Sequence, residues 1–193
     1  MAPDVDPVAG PPVAHLARGV AERVAATDTP TGLLSVVKMP TPDPGVLARS
    51  ELVVVAAGVA DPGNLGTIIR SAEAAGVDAV VVADGSVDVY NPKVVRASAG
   101  SLFHVPVVAG TLDDVRSAGL RLVGTSSHRG RSHTTVDWTG RVAIVAGGES
   151  SGLAVDAPVE EWVRIEHRGR AESLNVAMAV TILCFEAARQ RTR

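Results

Sequence analysis

Three segments of this 193-residue chain place polar side chains and glycines directly after short apolar runs. That is where the loops of an α/β domain carry their chemistry. The first, ADPGNLGTIIRSAEAAG (60–76), reads as a tight bend at Pro62, Gly63 and Gly66. Asn64 offers an amide there, and Arg70 follows six residues later on a new helix. Asn64 and Arg70 are positioned to meet one anion at the helix start. The plain alternative is an Asn-containing turn followed by a surface Arg. The second segment, AGGESSGL (146–153), carries Glu149 among glycines whose backbone can approach a ligand closely and bind it through exposed amides. The third, RGRAESLNVA (168–177), crowds Glu172, Ser173 and Asn175 at the opening of an apolar helix. Ser173 reads as its N-cap, and Asn175, a modest helix former, stands inside the first turn.

Other chemistries lack a complete set of groups. His128 and His133 lie in SSHRGRSHTT without a carboxylate or thiol to finish a metal site, so that segment reads as a solvated basic loop. Nothing singles out one Ser–His–Asp combination. A nicotinamide site has partial support, from Gly63 and Gly66 after one strand and Asp84 at the end of the next. The required G-x-G-x-x-G is absent from DPGNLG.

The elements that must hold these loops are legible as patterns. LVVVAAG (52–58), AVVVA (79–83), LRLVGT (120–125) and VAIVAGG (142–148) are nearly continuous apolar runs. Such runs suit strands of a mostly parallel sheet covered on both faces. Helical patterns at 65–75, 91–98 and 111–118 alternate with them, giving an α/β fold. The terminal helix SLNVAMAVTILCFEAARQR is apolar nearly all round, which calls for burial nearly all round. The sheet covers one side, so a second copy of the chain is expected on the other. Ahead of this domain, residues 1–13 are rich in Pro, Ala and Asp and read as a disordered tail. A helical pattern at 14–26, a short strand LLSVV at 33–37 and a linker at 39–45 then form an appendage over 14–45. The main domain spans 46–193.

Apolar residues make up 46% of the chain and aromatics only 3%, so aliphatic side chains must fill the core and few rings remain for base stacking. The net charge of −3 argues against a general nucleic-acid clamp, although residues 121–193 hold 10 basic against 8 acidic groups. A lone Cys184, no run of about 18–20 apolar residues and no basic-then-apolar leader make a cytoplasmic protein without a membrane segment the expectation.

NLGTIIR, GGESSGL and ESLNVA, in that order and spacing, resemble the three motifs of the SpoU (TrmH-like) branch of the SPOUT RNA methyltransferases. The resemblance covers roughly residues 51–191, and NPKVVRASAGSLFHVP (91–106) is similar to members that modify ribosomal RNA. It implies S-adenosylmethionine as methyl donor, a ribose 2′-hydroxyl as acceptor, a homodimer with a shared active site, no metal, and a C-terminal trefoil knot. Physical rules alone would not lead to such threading. By the same resemblance Arg70, Asn64, Glu149 and Asn175 form the catalytic group. Gly148, Glu149, Gly152, Ile165, Ser173 and Leu174 line the donor pocket. Arg96, Arg129 and Arg131 join Asn64 and Arg70 in contacting RNA.

Two departures fall on the pocket rim: Gly148 and Ser150 stand where the second motif has Asn and Gly, and Glu166-His167 replace the Pro-Met of the third. Residues 14–38 resemble the end of a ribosomal-protein-like substrate-binding domain. Ribosomal RNA is the expected substrate. Transfer RNA, and a non-catalytic RNA-binding protein of the same fold, are the alternatives.

Overall fold

A computed structural model describes residues 12–25 and 32–192, and the chain divides into two units between Pro40 and Thr41. Within the first unit a single short helix, α1 (Val20–Val24), is present and buries none of its residues. The expected helix over 14–26 is thus shortened to five residues (residue 26 lies outside the described residues, as do residues 1–11 of the expected tail). A helix this short gains too few hydrogen bonds to offset nucleation without packing. The strand expected at 33–37 does not form. Leu33, Leu34, Val36 and Val37 are exposed, and no described strand pairs with them to satisfy their backbone.

The second unit holds every strand of the described chain. It begins with a short helix, α2 (Val46–Arg49), and the first strand, β1 (Leu52–Ala57). Then come α3 (Pro62–Ala74), β2 (Ala79–Val82), α4 (Pro92–Ala97) and β3 (Val107–Ala109). They are followed by α5 (Leu112–Ser117), β4 (Arg121–Thr125), β5 (Arg131–Ser132) and β6 (Val142–Gly147). β7 (Glu161–Arg164) and the long helix α6 (Val176–Arg191) complete the chain. The seven strands form one sheet in the order β3-β2-β1-β6-β4-β7-β5, and every pairing is parallel.

Burial on both faces explains the unbroken apolar runs. On β1, Leu52, Val54 and Ala56 face a core shared with Ile68, Ile69, Val180 and Leu183, whereas Val53 and Val55 face a second core with Val46, Val115 and Leu122. No side of such a strand tolerates a polar residue. Three strands escaped the sequence reading for the opposite reason: β3 and β5 span only three and two residues, and β7 begins and ends on charged residues.

Glycine is used against expectation in α3. The helix starts at Pro62 rather than 65, because Asp61 caps it by accepting a hydrogen bond from the Asn64 N–H at 2.8 Å. Gly63 and Gly66 therefore lie inside the helix. A Cβ on Gly66 would sit 2.5 Å from the Ala97 Cβ and 2.7 Å from the Val94 carbonyl, so this glycine lets α4 press onto α3. On the same side α6 packs against α3, with Ser71 and Thr181 hydroxyls 2.7 Å apart. α6 buries Ala177, Val180, Leu183, Cys184 and Ala187 and leaves Met178, Ile182 and Phe185 exposed. No described helix is long and apolar enough to cross a membrane.

Candidate active site

A parallel sheet delivers all its strand-to-helix loops to one edge, and here that edge joins the three segments picked out by their chemistry. β1 and β6 are neighbours, with Ala57 opposite Gly147, and chain order switches direction between them. Ligands of open α/β sheets bind at such a switch. β4 and β7 adjoin on the far side of β6, with Thr125 opposite Val163.

The loop after β6 folds back on itself, the Gly152 N–H donating to the Gly148 carbonyl at 2.9 Å. Its glycines serve that fold before any ligand. A Cβ on Gly147 would overlap the Gly152 and Leu153 backbone, one on Gly148 would lie 2.5 Å from the Gly58 carbonyl, and Gly152 has a left-handed φ of 63°. The sequence reading assigned Gly148 and its neighbour to close approach by a ligand. The closest approaches they permit are within the chain itself.

A hydrogen-bonded chain of three side chains ties the segments together. The Asn64 amide donates to Glu149 Oε1 at 2.8 Å, and the Asn175 amide donates to Asn64 Oδ1 at 2.9 Å. Glu149 also accepts from the backbone N–H groups of Asp61 (3.2 Å) and Ala60 (3.3 Å), at the entry to α3. An anion at a helix start gains from the helix dipole as well. Burial pushes the Glu149 carboxyl up, but the hydrogen bonds from Asn64 and from the backbone of Glu149, Asp61 and Ala60 outweigh it and hold the group below its ordinary value. Asn175, not Ser173, is the cap of α6: its Oδ1 accepts from the N–H groups of Ala177 (2.9 Å) and Met178 (3.2 Å). The helix begins two residues later than Ser173 implied, and the Asn that looked out of place in a first turn is what starts it.

Behind this chain opens a cleft of about 670 Å³. Of the residues expected in a donor pocket, Gly148, Glu149, Gly152, Ile165, Ser173 and Leu174 all line it, as does Asn175. Asn64 supports the cleft from behind Glu149 without lining it. Arg70 is exposed on α3, six residues and so about 9 Å of helix rise beyond Asn64, with no hydrogen bond or ion pair to another described residue. The convergence of Asn64 and Arg70 at the helix start is absent within one chain. Arg96 is exposed on α4. Arg131 donates to Glu161 Oε1 at 3.2 Å and to the Thr135 carbonyl, and Glu161 also binds Arg121 at 2.6 Å.

The sequence reading missed one wall. The segment read as a solvated basic loop runs up the end of β4 and into β5, and Arg129 lines the cleft with its guanidinium 3.5 Å from the ring centre of Trp162. His133 lies 3.6 Å from Glu166, which accepts a 2.8 Å hydrogen bond from Ser132. Thus Glu166, one of the two rim departures, fastens the edge strand, while His167 faces the cleft. Trp162 has no partner signal in the sequence, since its contact with Arg129 arises only when β5 pairs with β7. No group of three His, Cys, Asp or Glu side chains able to hold a metal occurs among the described residues.

The SpoU rRNA Methylase family description matches residues 51–185. The 23S rRNA (guanosine(2553)-2'-O)-methyltransferase RlmP of Bacillus subtilis is 39% identical over 170 residues, covering 84% of this chain and 66% of that protein. The 23S rRNA (guanosine-2'-O-)-methyltransferase RlmB of Xanthomonas axonopodis pv. citri is 40% identical over 151 residues, covering 75% and 61%. The solved SpoU methyltransferase AviRb of Streptomyces viridochromogenes, in complex with the cofactor AdoMet, superposes with a TM-score of 0.71 at 36% identity, over 80% of this chain and 64% of that one. The chain spans 61–66% of the length of the two curated relatives.

Proposed function

Because the chain belongs to the SpoU rRNA methylase family, we propose that it is an S-adenosylmethionine-dependent RNA 2′-O-ribose methyltransferase that acts on ribosomal RNA as a cytoplasmic homodimer. The observation that carries this reading is the Asn64–Glu149–Asn175 chain, which locks three loops of one sheet edge around a single cleft. The names of the 23S rRNA relatives favour ribosomal over transfer RNA.

The cleft suits the donor. Its volume is in the range of ordinary small-molecule sites, its floor includes Leu153, Ile165 and Leu174, and Gly148–Gly152 offer backbone at its mouth. When bound there, S-adenosylmethionine supplies a sulfonium methyl group that carries its own leaving group. The residues of the chain then have two tasks, to orient the ribose hydroxyl and to let its proton leave. Orientation alone is worth several kcal/mol, on the order of 7 at best-aligned sites. Arg70, planar and permanently charged, is assigned to clamp an RNA phosphate beside the hydroxyl. Glu149 is a poor proton acceptor, since its carboxylate is held ionised and its oxygens are already engaged. Glu149, Asn64 and Asn175 are therefore assigned to positioning, and the hydroxyl proton, lost as the methyl group transfers, passes to solvent.

The homodimer accounts for two features of the single chain. Leu174, Met178, Ile182 and Phe185 leave an apolar strip of 37–54% exposed side chains along and just ahead of α6. Arg70 stands outside the cleft of its own subunit, so a second subunit is assigned to supply it. The C-terminal knot, and the reading of residues 14–45 as a remnant of a substrate-binding domain, belong to the same proposal.

The test is transfer of a labelled methyl group from the donor to ribosomal RNA by the purified chain, followed by nuclease digestion. Label is expected on ribose 2′-oxygens and absent with Arg70→Ala. A chain that binds the donor but labels no RNA would contradict catalysis and leave an RNA-binding protein of the same fold.

A further inference from the structure

We infer that Arg129, braced against Trp162, is the residue that recognises the carboxylate at the amino-acid end of the donor. The inference rests on the donor reading above. Among the described residues Arg129 is the one Arg or Lys in the lining of the cleft. Two carboxylates share that lining, Glu149 and Glu172, but among the described residues neither pairs with Arg129, and Glu149 is taken up by Asn64 and by the backbone of Asp61 and Ala60. The Arg129 guanidinium is committed to one side-chain hydrogen bond, from Nη2 to the Val155 carbonyl at 3.3 Å, which leaves Nε and Nη1 to bind a ligand.

The surroundings hold that guanidinium in place before any ligand arrives. The Ser126 hydroxyl accepts from the backbone N–H groups of His128 and Arg129, both at 3.2 Å, and so sets the turn after β4. Gly130, at φ 103°, presses its backbone onto Trp162 so closely that any Cβ would overlap the Trp162 carbonyl. With the backbone fixed against Trp162, the Arg129 side chain lies back over the indole ring at 3.5 Å. A stacked, partly buried arginine loses little rotamer freedom on binding and presents a planar fork suited to a carboxylate. A nucleoside needs no such charge, whereas a carboxylate entering this partly apolar cleft needs a cation to offset its lost hydration.

Two ligands that differ in the amino-acid portion separate the roles. S-adenosylhomocysteine carries the carboxylate, and 5′-methylthioadenosine keeps the adenosine and thioether without it. Calorimetry on the wild-type chain and on Arg129→Gln should show S-adenosylhomocysteine binding weakened by about 10–100-fold, in line with loss of a charged hydrogen bond. Binding of 5′-methylthioadenosine should stay within about threefold, which also shows that the variant keeps its cleft. Equal weakening of both ligands would make Arg129 part of the nucleoside site or of the wall, and unchanged affinity for S-adenosylhomocysteine would remove it from recognition altogether. A wild-type chain that binds neither ligand would overturn the donor reading itself.

Discussion

If the three loops act as one unit, breaking the bond between Asn64 and Glu149 should cost less once either partner has already been removed. The Asn64 amide meets a carboxylate at 2.8 Å, a charge-assisted bond worth about 1.5–3 kcal/mol when fully buried. Glu149 is exposed to solvent, which screens the bond and leaves an expected coupling of about 1 kcal/mol. The neutral bond from Asn175 to Asn64 at 2.9 Å adds about 0.5 kcal/mol. Asn64→Ala breaks both, so the predicted loss is about 1.5 kcal/mol, near a tenfold fall in donor affinity if loop order is what binding requires. A double-mutant cycle of Asn64→Ala and Glu149→Ala, read by urea unfolding and by calorimetry with S-adenosylhomocysteine, measures the coupling directly. Asn64→Asp sharpens it: the new carboxylate can still accept from Asn175 but sits at hydrogen-bond distance from Glu149, so it should cost more than Asn64→Ala. Additive single mutants, within about 0.3 kcal/mol, or an Asn64→Asp variant that behaves as wild type, would refute the idea that the chain holds the cleft together.

Three further outcomes follow from particular residues. Arg70→Ala and Arg70→Lys should leave the thermal midpoint and donor affinity near wild type, since the side chain has no described partner, yet both should lose most methyl transfer; normal turnover by Arg70→Lys would end the clamp assignment. Gly66→Ala should destabilise by about 1–3 kcal/mol, seen as a melting temperature several degrees lower, because its Cβ would meet Ala97 and the Val94 carbonyl at 2.5–2.7 Å. Phe185→Glu, at the C-terminal end of the exposed strip of α6, should shift the mass seen by light scattering from twice the chain's 19.8 kDa to once; an unchanged dimer would place the interface elsewhere, and a monomeric wild type would remove it.

The parts of the fold legible in sequence were those where one physical demand dominates. LVVVAA must be a strand buried on two faces, because both cores need its alternate residues. The loops after β1 and β6 and before α6 were legible because polar residues and glycines there interrupt such runs. What escaped depends on contacts made only after folding. Gly66 looks like a turn residue until α4 packs on it, and Asp61 looks ordinary until it caps α3. Ser173 and Asn175 are both good caps by type, and only the hydrogen bonds to Ala177 and Met178 decide between them. Arg129 and Trp162 are distant in sequence and meet through an edge strand of two residues, too short to leave a pattern. LLSVV has strand composition but no neighbouring strand among the described residues, and composition cannot supply one.

The central claim, methyl transfer to a ribose of ribosomal RNA, is tested most directly by mapping 2′-O-methylation across ribosomal RNA from cells with and without the gene. The account predicts loss of methylation at a discrete ribose, restored by the wild-type gene and not by one carrying Arg70→Ala. An unchanged ribosomal profile, or a lost methyl group that proves to lie on a base or in transfer RNA, would contradict it.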